Sequence, residues 1–319
     1  MKNNSTTVDW TLDSWQAFKI SQQPVWPDQR IYENTVNQLS KLPALVYAGE
    51  SRALKSQLAD VIEGKAFVLQ AGDCAEEFAR CSGPAIHDQL KVILRMAIIL
   101  AYAGEKKIIK IGRIAGQYAK PRSSDIEVVG GVEIPSYRGD MVNSPVPSLE
   151  ERMPDPRRML EGYFRAAATL NLVRAFTHGG YAALDKVKKW SETSFGSFPA
   201  NSKYDELARG IRKAINFITA LGIDTKLPYL NETTVYTSHE ALLLGYEEAM
   251  TRVDTTTGRW YDTSAHLLWI GERTRDVDGA HVEFLRGVNN PIGVKIGPDH
   301  DIDNIKRLIE KLNPENEAG

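Results

Sequence analysis

A chain of 319 residues, 42% hydrophobic and 25% charged, has room for one large domain or two small ones and the make-up of an ordinary globular protein. Its formal net charge of -2 argues against a general nucleic-acid binder or membrane-surface binder, so local clusters of cations read as site chemistry. Cys74 and Cys81 are too few for a disulfide scaffold and point to the cytoplasm, and no apolar run reaches the roughly 18 residues of a membrane helix.

Residues 1–64 read as an N-terminal arm with helices. Pro24, Pro27 and Pro43 punctuate short helical pieces, and a helix at about 51–62 ends at Gly64. Residues 65–319 read as strands alternating with helices. The first strand is 66–70, broken by Gly72 and Asp73. Ser82 then caps a helix with Pro84 in its first turn, and Ile86, Leu90, Ile93, Leu94, Ala97 and Ile98 form its apolar stripe as far as Gly104. Residues 107–111 are the second strand. Strand, helix and strand in so short a stretch make a βαβ unit, which demands a right-handed crossover and a parallel sheet.

A long connection at 124–156 contains Gly130, Gly131 and five prolines. Loops of this length inside a domain are usually functional. A helix runs from about 157 to 176 and breaks at Gly179 and Gly180. Two more helical stretches, 181–192 and 204–221, interrupt the alternation as a helical insertion at about 179–222. Strands follow at 233–237, 267–270 and 291–296, with a helix over 240–250 and a closing helix over 301–312. The count is five parallel strands, where a closed (β/α)8 barrel has eight.

The chemistry concentrates just past strand ends. Arg113, Lys120 and Arg122 place three cations in ten residues after the second strand, with Ala115 and Gly116 between them and Ser123 behind. Arg grips phosphate or carboxylate through a planar fork and Lys adds a point charge, while small residues let a ligand approach the backbone. On composition alone a solvated basic loop is an equal reading. Glu272, Arg273 and Arg275 follow the 267–270 strand, and Lys295 sits near the end of the 291–296 strand. Charges there are costly unless paired or turned into a site, and barrel enzymes keep their sites at the carboxyl ends of strands. Three such ends suggest one polyanion pocket. Glu272 beside Arg273 is placed to orient that Arg by pairing with it or to position a water near a substrate, and a plain surface ion pair is the bland alternative. Trp269 and Phe78 read as packing residues and Cys81 as structural. None of the six histidines makes a metal-spaced pair, and His239, placed after the third strand, reads as a supporting residue.

Six stretches carry a family resemblance: 70–78 (QAGDCAEEF), 113–123 (RIAGQYAKPRS), 137–140 (YRGD), 236–242 (YTSHEAL), 269–275 (WIGERTR) and 293–298 (GVKIGP). In this order they resemble the class II 3-deoxy-D-arabino-heptulosonate 7-phosphate (DAHP) synthases. The resemblance implies a (β/α)8 barrel, here about five of its eight units, and entry into the shikimate pathway by condensation of phosphoenolpyruvate with erythrose 4-phosphate. It assigns Arg113, Glu272, Arg273 and Lys295 to phosphoenolpyruvate, Lys120 between the two substrates, and Arg122 and Ser123 to the erythrose 4-phosphate phosphate. Lys120, Arg273 and Lys295 are the implied catalytic residues.

The same resemblance makes Cys74 a ligand of a divalent metal, Mn2+ or Co2+, which polarises the aldehyde. It also implies a homo-oligomer in the full-length enzyme. Further strand–helix units, bearing a phosphate Arg and His, Glu and Asp ligands, are expected past 312–315, so the 319-residue chain is expected to be inactive alone. Two other readings stay open: a non-catalytic fragment or one half of a split enzyme, and a different sugar-phosphate aldolase using Lys295 as a Schiff-base amine.

Overall fold

The computed structural model describes residues 9–181, 202–223, 227, 231–298 and 300–319. Its centre is a curled sheet of five parallel strands: β1 (Ala66–Gly72), β2 (Lys107–Arg113), β5 (Tyr236–Glu240), β8 (Leu267–Ile270) and β9 (Ile292–Val294), in that spatial order. Every neighbouring pair runs parallel, from Ala66 opposite Lys107 through to Ile270 opposite Val294. The expected partial barrel of five strand–helix units is therefore borne out.

Helices cover the outer face. Helix α2 (Ala48–Ile62) lays Leu54 against Ala66, Ile109, Ile111 and Tyr236. Helix α3 (Gly83–Gly104) packs Ile86, Leu90 and Leu94 against Val173 of α4 (Arg158–His178). Ser82 stands at the N-cap of α3, but its side chain caps nothing. Helix α1 (Gln29–Leu39) and α4 share a second core with Met141, Leu243 and Tyr246. Helix α5 (Ser202–Ala220) matches the second expected helix of the insertion, whereas 182–192 of the first lies outside the described residues. Leu268 and Ile270 of β8 are buried with Phe284 and Leu285 of α7 (Ala280–Leu285) and Leu308 of α8 (Ile302–Leu312). The short α7 has no expected counterpart.

Three local expectations need correction. The connection at 124–156 holds a hairpin, β3 (Ile126–Val129) with β4 (Val132–Pro135), turning at Gly130 and Gly131, both at positive φ. A second hairpin pairs β6 (Thr251–Val253) with β7 (Trp260–Asp262) just after α6 (Leu244–Met250). The third barrel strand begins three residues later than expected, at Tyr236, so His239 lies within the strand instead of after it. All five β5 residues are buried. The polar run Thr237–Ser238–His239–Glu240 is tolerated in a central strand because each side chain finds a partner there.

The N-terminal arm lies across α7 and the strand ends. Trp10 Nε1 donates to the Glu283 and Phe284 carbonyls at 3.1 and 3.3 Å, and Trp15 Nε1 to Glu248 at 2.7 Å. Lys19 bridges to Gly279, with Ala280 N–H donating to the Lys19 carbonyl at 3.0 Å.

Candidate active site

Three strands deliver their ends to one place. Arg113 closes β2, Trp269 belongs to β8, and Lys295 follows β9, where its N–H donates to the Ile270 carbonyl at 2.9 Å. The Arg113 guanidinium carbon lies 4.7 Å from the Trp269 ring centroid and Lys295 Nζ lies 5.3 Å from it. Both cations thus use the electron-rich face of one indole. Lys295 Nζ also sits 3.3 Å from Glu240 Oε2, whose side chain is only 2% exposed. Arg113 Nη2 donates to the Cys74 carbonyl at 3.1 Å, while its buried Nε has no partner among the described residues. One buried carboxylate therefore faces Lys295, and one buried guanidinium donor of Arg113 is left over.

The loop after β2 carries the other cations. Lys120 is half-buried, its N–H donates to the Arg138 carbonyl at 2.8 Å, and its Nζ has no partner among the described residues. Arg122 Nη2 donates to Glu127 Oε2 of β3 at 2.9 Å, and the other oxygen of Glu127 takes Arg152 Nη1 at 2.6 Å. The hairpin missed in the sequence thus supplies a counter-charge for Arg122. Ser123 is exposed beside it.

Past β8 the expected pairing is different. Glu272 Oε1 accepts from Arg275 Nη2 at 2.8 Å instead of pairing with Arg273. A tight turn points adjacent side chains apart and brings residues three apart together. The Arg275 guanidinium holds the Glu272 carboxyl below its ordinary range. Glu272 leans on the loop after β9: a Cβ added at Gly297 would lie 2.9 Å from its Oε1. Arg273 is exposed, and its side chain is unpaired among the described residues.

Beneath these residues the loops after β1 and β2 are locked by Glu76. Its two oxygens accept the N–H groups of Ala115, Gly116 and Gln117 at 2.9, 2.9 and 2.7 Å, and its own N–H donates to the Gln117 carbonyl at 2.7 Å. Ala115 is at φ 64°, which turns three successive amides toward one carboxylate. Burial pushes the Glu76 carboxyl up, against the pull of those three donors. Ala115 and Gly116 are buried, so their small size serves the interior and not ligand approach. A Cβ on Gly116 would come within 2.6 Å of His239 Nδ1. His239 Nε2 in turn lies 2.8 Å from Glu247 Oε1, and Ser264 Oγ donates to Glu247 Oε2 at 2.8 Å. Burial lowers the His239 pKa and pushes Glu247 up to about 7.

Cys74 is exposed after β1, with its carbonyl on Arg113. Cys81 packs its sulfur against the Arg165 carbonyl and Thr169 Oγ1 at 3.6 and 3.5 Å, as suits a structural thiol. Among the described residues no group of three or more His, Cys, Asp or Glu side chains could hold a metal ion. The donors described here do not by themselves fit a metal centre. Of the sequence-predicted residues, Arg113 and Lys295 share the Trp269 ring, Arg122 is neutralised by Glu127, and Glu272 and Arg273 part. Glu76 stands out in sequence only as a carboxylate near a strand end beside Cys74, and Glu240 escaped notice as a site-building group, since one acidic residue in a polar run gives no sign of what it faces.

The class-II DAHP synthetase family model matches residues 10–319. A phospho-2-dehydro-3-deoxyheptonate aldolase of Streptomyces coelicolor is 45% identical over 319 residues, covering 100% of this chain and 70% of the relative. That of Neurospora crassa is 41% identical, covering 97% of this chain and 67% of the relative. The AroG enzyme of Mycolicibacterium smegmatis, of the same name, is 44% identical, covering 97% of this chain and 66% of the relative. With its parallel half-barrel, its strand-end cations and these matches, the chain belongs to the class-II DAHP synthetase family and shares its synthase function.

Proposed function

We propose that the strand-end pocket binds phosphoenolpyruvate on Arg113 and Lys295 and erythrose 4-phosphate beside it, and condenses them to DAHP. The observation that carries this is that Arg113 and Lys295 both lie against the Trp269 ring, with the Glu240 carboxylate on Lys295. A phosphorylated carboxylic acid supplies the charge this pair lacks, in charge-assisted hydrogen bonds. Arg273 and Glu272 would flank it from the β8 exit. Lys120, half-buried and without a side-chain partner among the described residues, would stand between the substrates. Arg122 and Ser123 would meet the second phosphate once Arg122 is shared between it and Glu127.

In the reaction, C3 of phosphoenolpyruvate bonds to the aldehyde carbon, and the aldehyde oxygen takes a proton to become a hydroxyl. Water adds to C2, and phosphate leaves with the bridging oxygen, giving the ketone. Two polyanions side by side repel, so several cations are needed to hold both, and holding them aligned supplies much of the acceleration. Lys120 is the proposed proton donor to the aldehyde oxygen. Cys74 is the proposed thiolate donor to a divalent ion, Mn2+ or Co2+, although the described residues complete no such centre. A cytoplasmic homo-oligomer, with arm 1–64, partial barrel 65–319 and insertion 179–222, belongs to the same proposal. No described helix is long and apolar enough to cross a membrane.

The aldolase alternative is disfavoured by Glu240, whose carboxylate occupies Lys295 Nζ at 3.3 Å. Borohydride reduction in the presence of erythrose 4-phosphate, followed by mass mapping, tests this. No sugar adduct is expected on Lys295, and a stoichiometric adduct would replace the condensation with a Schiff-base reaction. Paired titrations test the rest: the two substrates should bind together, and mutual exclusion would refute a two-seat pocket.

A further inference from the structure

Three consecutive arm residues, Ser21, Gln22 and Gln23, touch three different strand-end loops. Ser21 Oγ donates to the Arg273 carbonyl at 3.2 Å, and Gln23 Nε2 donates to the Leu242 carbonyl past β5 at 2.6 Å. Gln22 takes the loop after β2 from both sides. Its Oε1 accepts the Arg122 N–H at 2.8 Å. Its carbonyl faces Arg138 Nη1 at 3.5 Å, and the Arg138 carbonyl accepts the Lys120 N–H at 2.8 Å. The Arg138 side chain is only 12% exposed and is further tied to Asp125.

Gln22 achieves this at φ 61°, in the left-handed region that a residue with a Cβ seldom adopts. A left-handed conformation without a glycine is kept only where surrounding contacts over-determine it, and such positions cluster at functional sites. Here the side-chain acceptor is the contact that glycine could not provide. The arm is anchored upstream by Trp10, Trp15 and Lys19, so position 22 is presented to the loop by a fixed support.

We infer that Gln22 is a positioning residue for the second-substrate half of the pocket: it sets the Lys120–Arg122 backbone, while Ser21 links the same strap to the Arg273 loop. The assignment of that half to a phosphorylated aldehyde rests on the function proposed above. Since Gln22 holds the Arg122 main chain, and among the described residues no hydrogen bond or ion pair runs from it to Arg113 or Lys295, it should act on one substrate and not on both.

The test compares Gln22→Gly and Gln22→Glu with the wild type. Glycine relaxes the backbone but deletes the acceptor; glutamate keeps an oxygen in place. For Gln22→Gly, thermal unfolding should stay at or above the wild-type midpoint. Amide hydrogen exchange over 120–124 should quicken, and erythrose 4-phosphate should bind about fivefold more weakly, the loss expected for one hydrogen bond, with phosphoenolpyruvate binding unchanged. Gln22→Glu should restore slow exchange and binding closer to the wild type than to Gln22→Gly. Equal weakening of both substrates that tracks a lowered midpoint, or unchanged exchange in Gln22→Gly, would overturn the inference. Failure of the wild type to bind erythrose 4-phosphate, with exchange still controlled by residue 22, would sink the substrate reading and leave the strap standing.

Discussion

At the scale of single residues, the site is a set of cations whose counter-charges differ. Arg122 has Glu127, Lys295 has Glu240, and the Lys120 and Arg273 side chains have no partner among the described residues. Arg122→Ala is therefore expected to weaken erythrose 4-phosphate binding about tenfold, near the lower end for a charge-assisted contact. Glu127→Gln should strengthen it, by freeing Arg122. Calorimetric titration of both variants checks the pair, and no effect from either would remove Arg122 from the pocket. Glu76→Gln leaves one amide nitrogen facing backbone donors that now share a carboxylate. A buried mismatch of this kind costs on the order of 1–3 kcal/mol of stability, readable by denaturant unfolding. The Arg and Lys positions were legible in the sequence, because charges just past strand-like runs are few. Their partners were not: Glu127 sits in a hairpin hidden within a proline-rich stretch, and the Glu272–Arg275 pair depends on a turn geometry that adjacency in sequence conceals.

At the scale of elements, the strands with continuous apolar runs were legible. The central apolar residues of β2, Ile108, Ile109 and Ile111, are buried as their pattern implies. Strand β5 was misplaced by three residues because its buried stretch is polar, and only the cross-strand bonds to Gly112, His266 and Lys295 explain why it can be central. The two hairpins were missed because strands of three or four residues carry too little alternation to register. Packing between β5 and the loop after β2 yields a sharp expectation. Gly116→Ala would drive a methyl group against His239 Nδ1, which cannot retreat because Nε2 is held by Glu247. A destabilisation of about 1–3 kcal/mol is expected from such overpacking, measured by urea unfolding. Wild-type stability in Gly116→Ala would show that the His239 ring is free to move.

At the scale of the whole molecule, half-buried Glu50 and buried Glu247 set opposite pH trends. Glu50, between α2 and α4, is pushed up by burial but held at about 2 by His266, the Tyr47 N–H and Arg174. A carboxylate with a depressed folded pKa adds stability above its unfolded pKa, roughly 4.3, and that part is lost as pH falls toward 2. Glu247 is raised to about 7 by burial, with Ser264 and Asp262 around it. Its stabilising part is full below the unfolded pKa and is lost as pH rises through 7. Glu247 should therefore contribute a decline in unfolding free energy between about pH 4.5 and 7, on the order of 3 kcal/mol, set against the rise that the buried His239, His266 and His281 contribute through their lowered pKa values. Glu247→Gln should flatten that decline, and an unchanged slope would remove Glu247 as its cause. The five-strand parallel architecture was legible from the strand–helix rhythm and the order of the motifs. The strapping of the arm across the strand ends was not, since Ser21–Gln22–Gln23 has no pattern to distinguish it from any polar linker.

Arg113 and Lys295, converging on Trp269, are proposed to form the phosphoenolpyruvate seat. Isothermal titration of phosphoenolpyruvate into the wild type, Arg113→Ala, Lys295→Ala and Arg122→Ala tests it most directly. Saturable binding to the wild type should weaken about thirtyfold in each of the first two, the loss of roughly 2 kcal/mol for one charge-assisted contact, and stay nearly unchanged in Arg122→Ala. Equal affinity in Arg113→Ala, Lys295→Ala and the wild type would contradict the account.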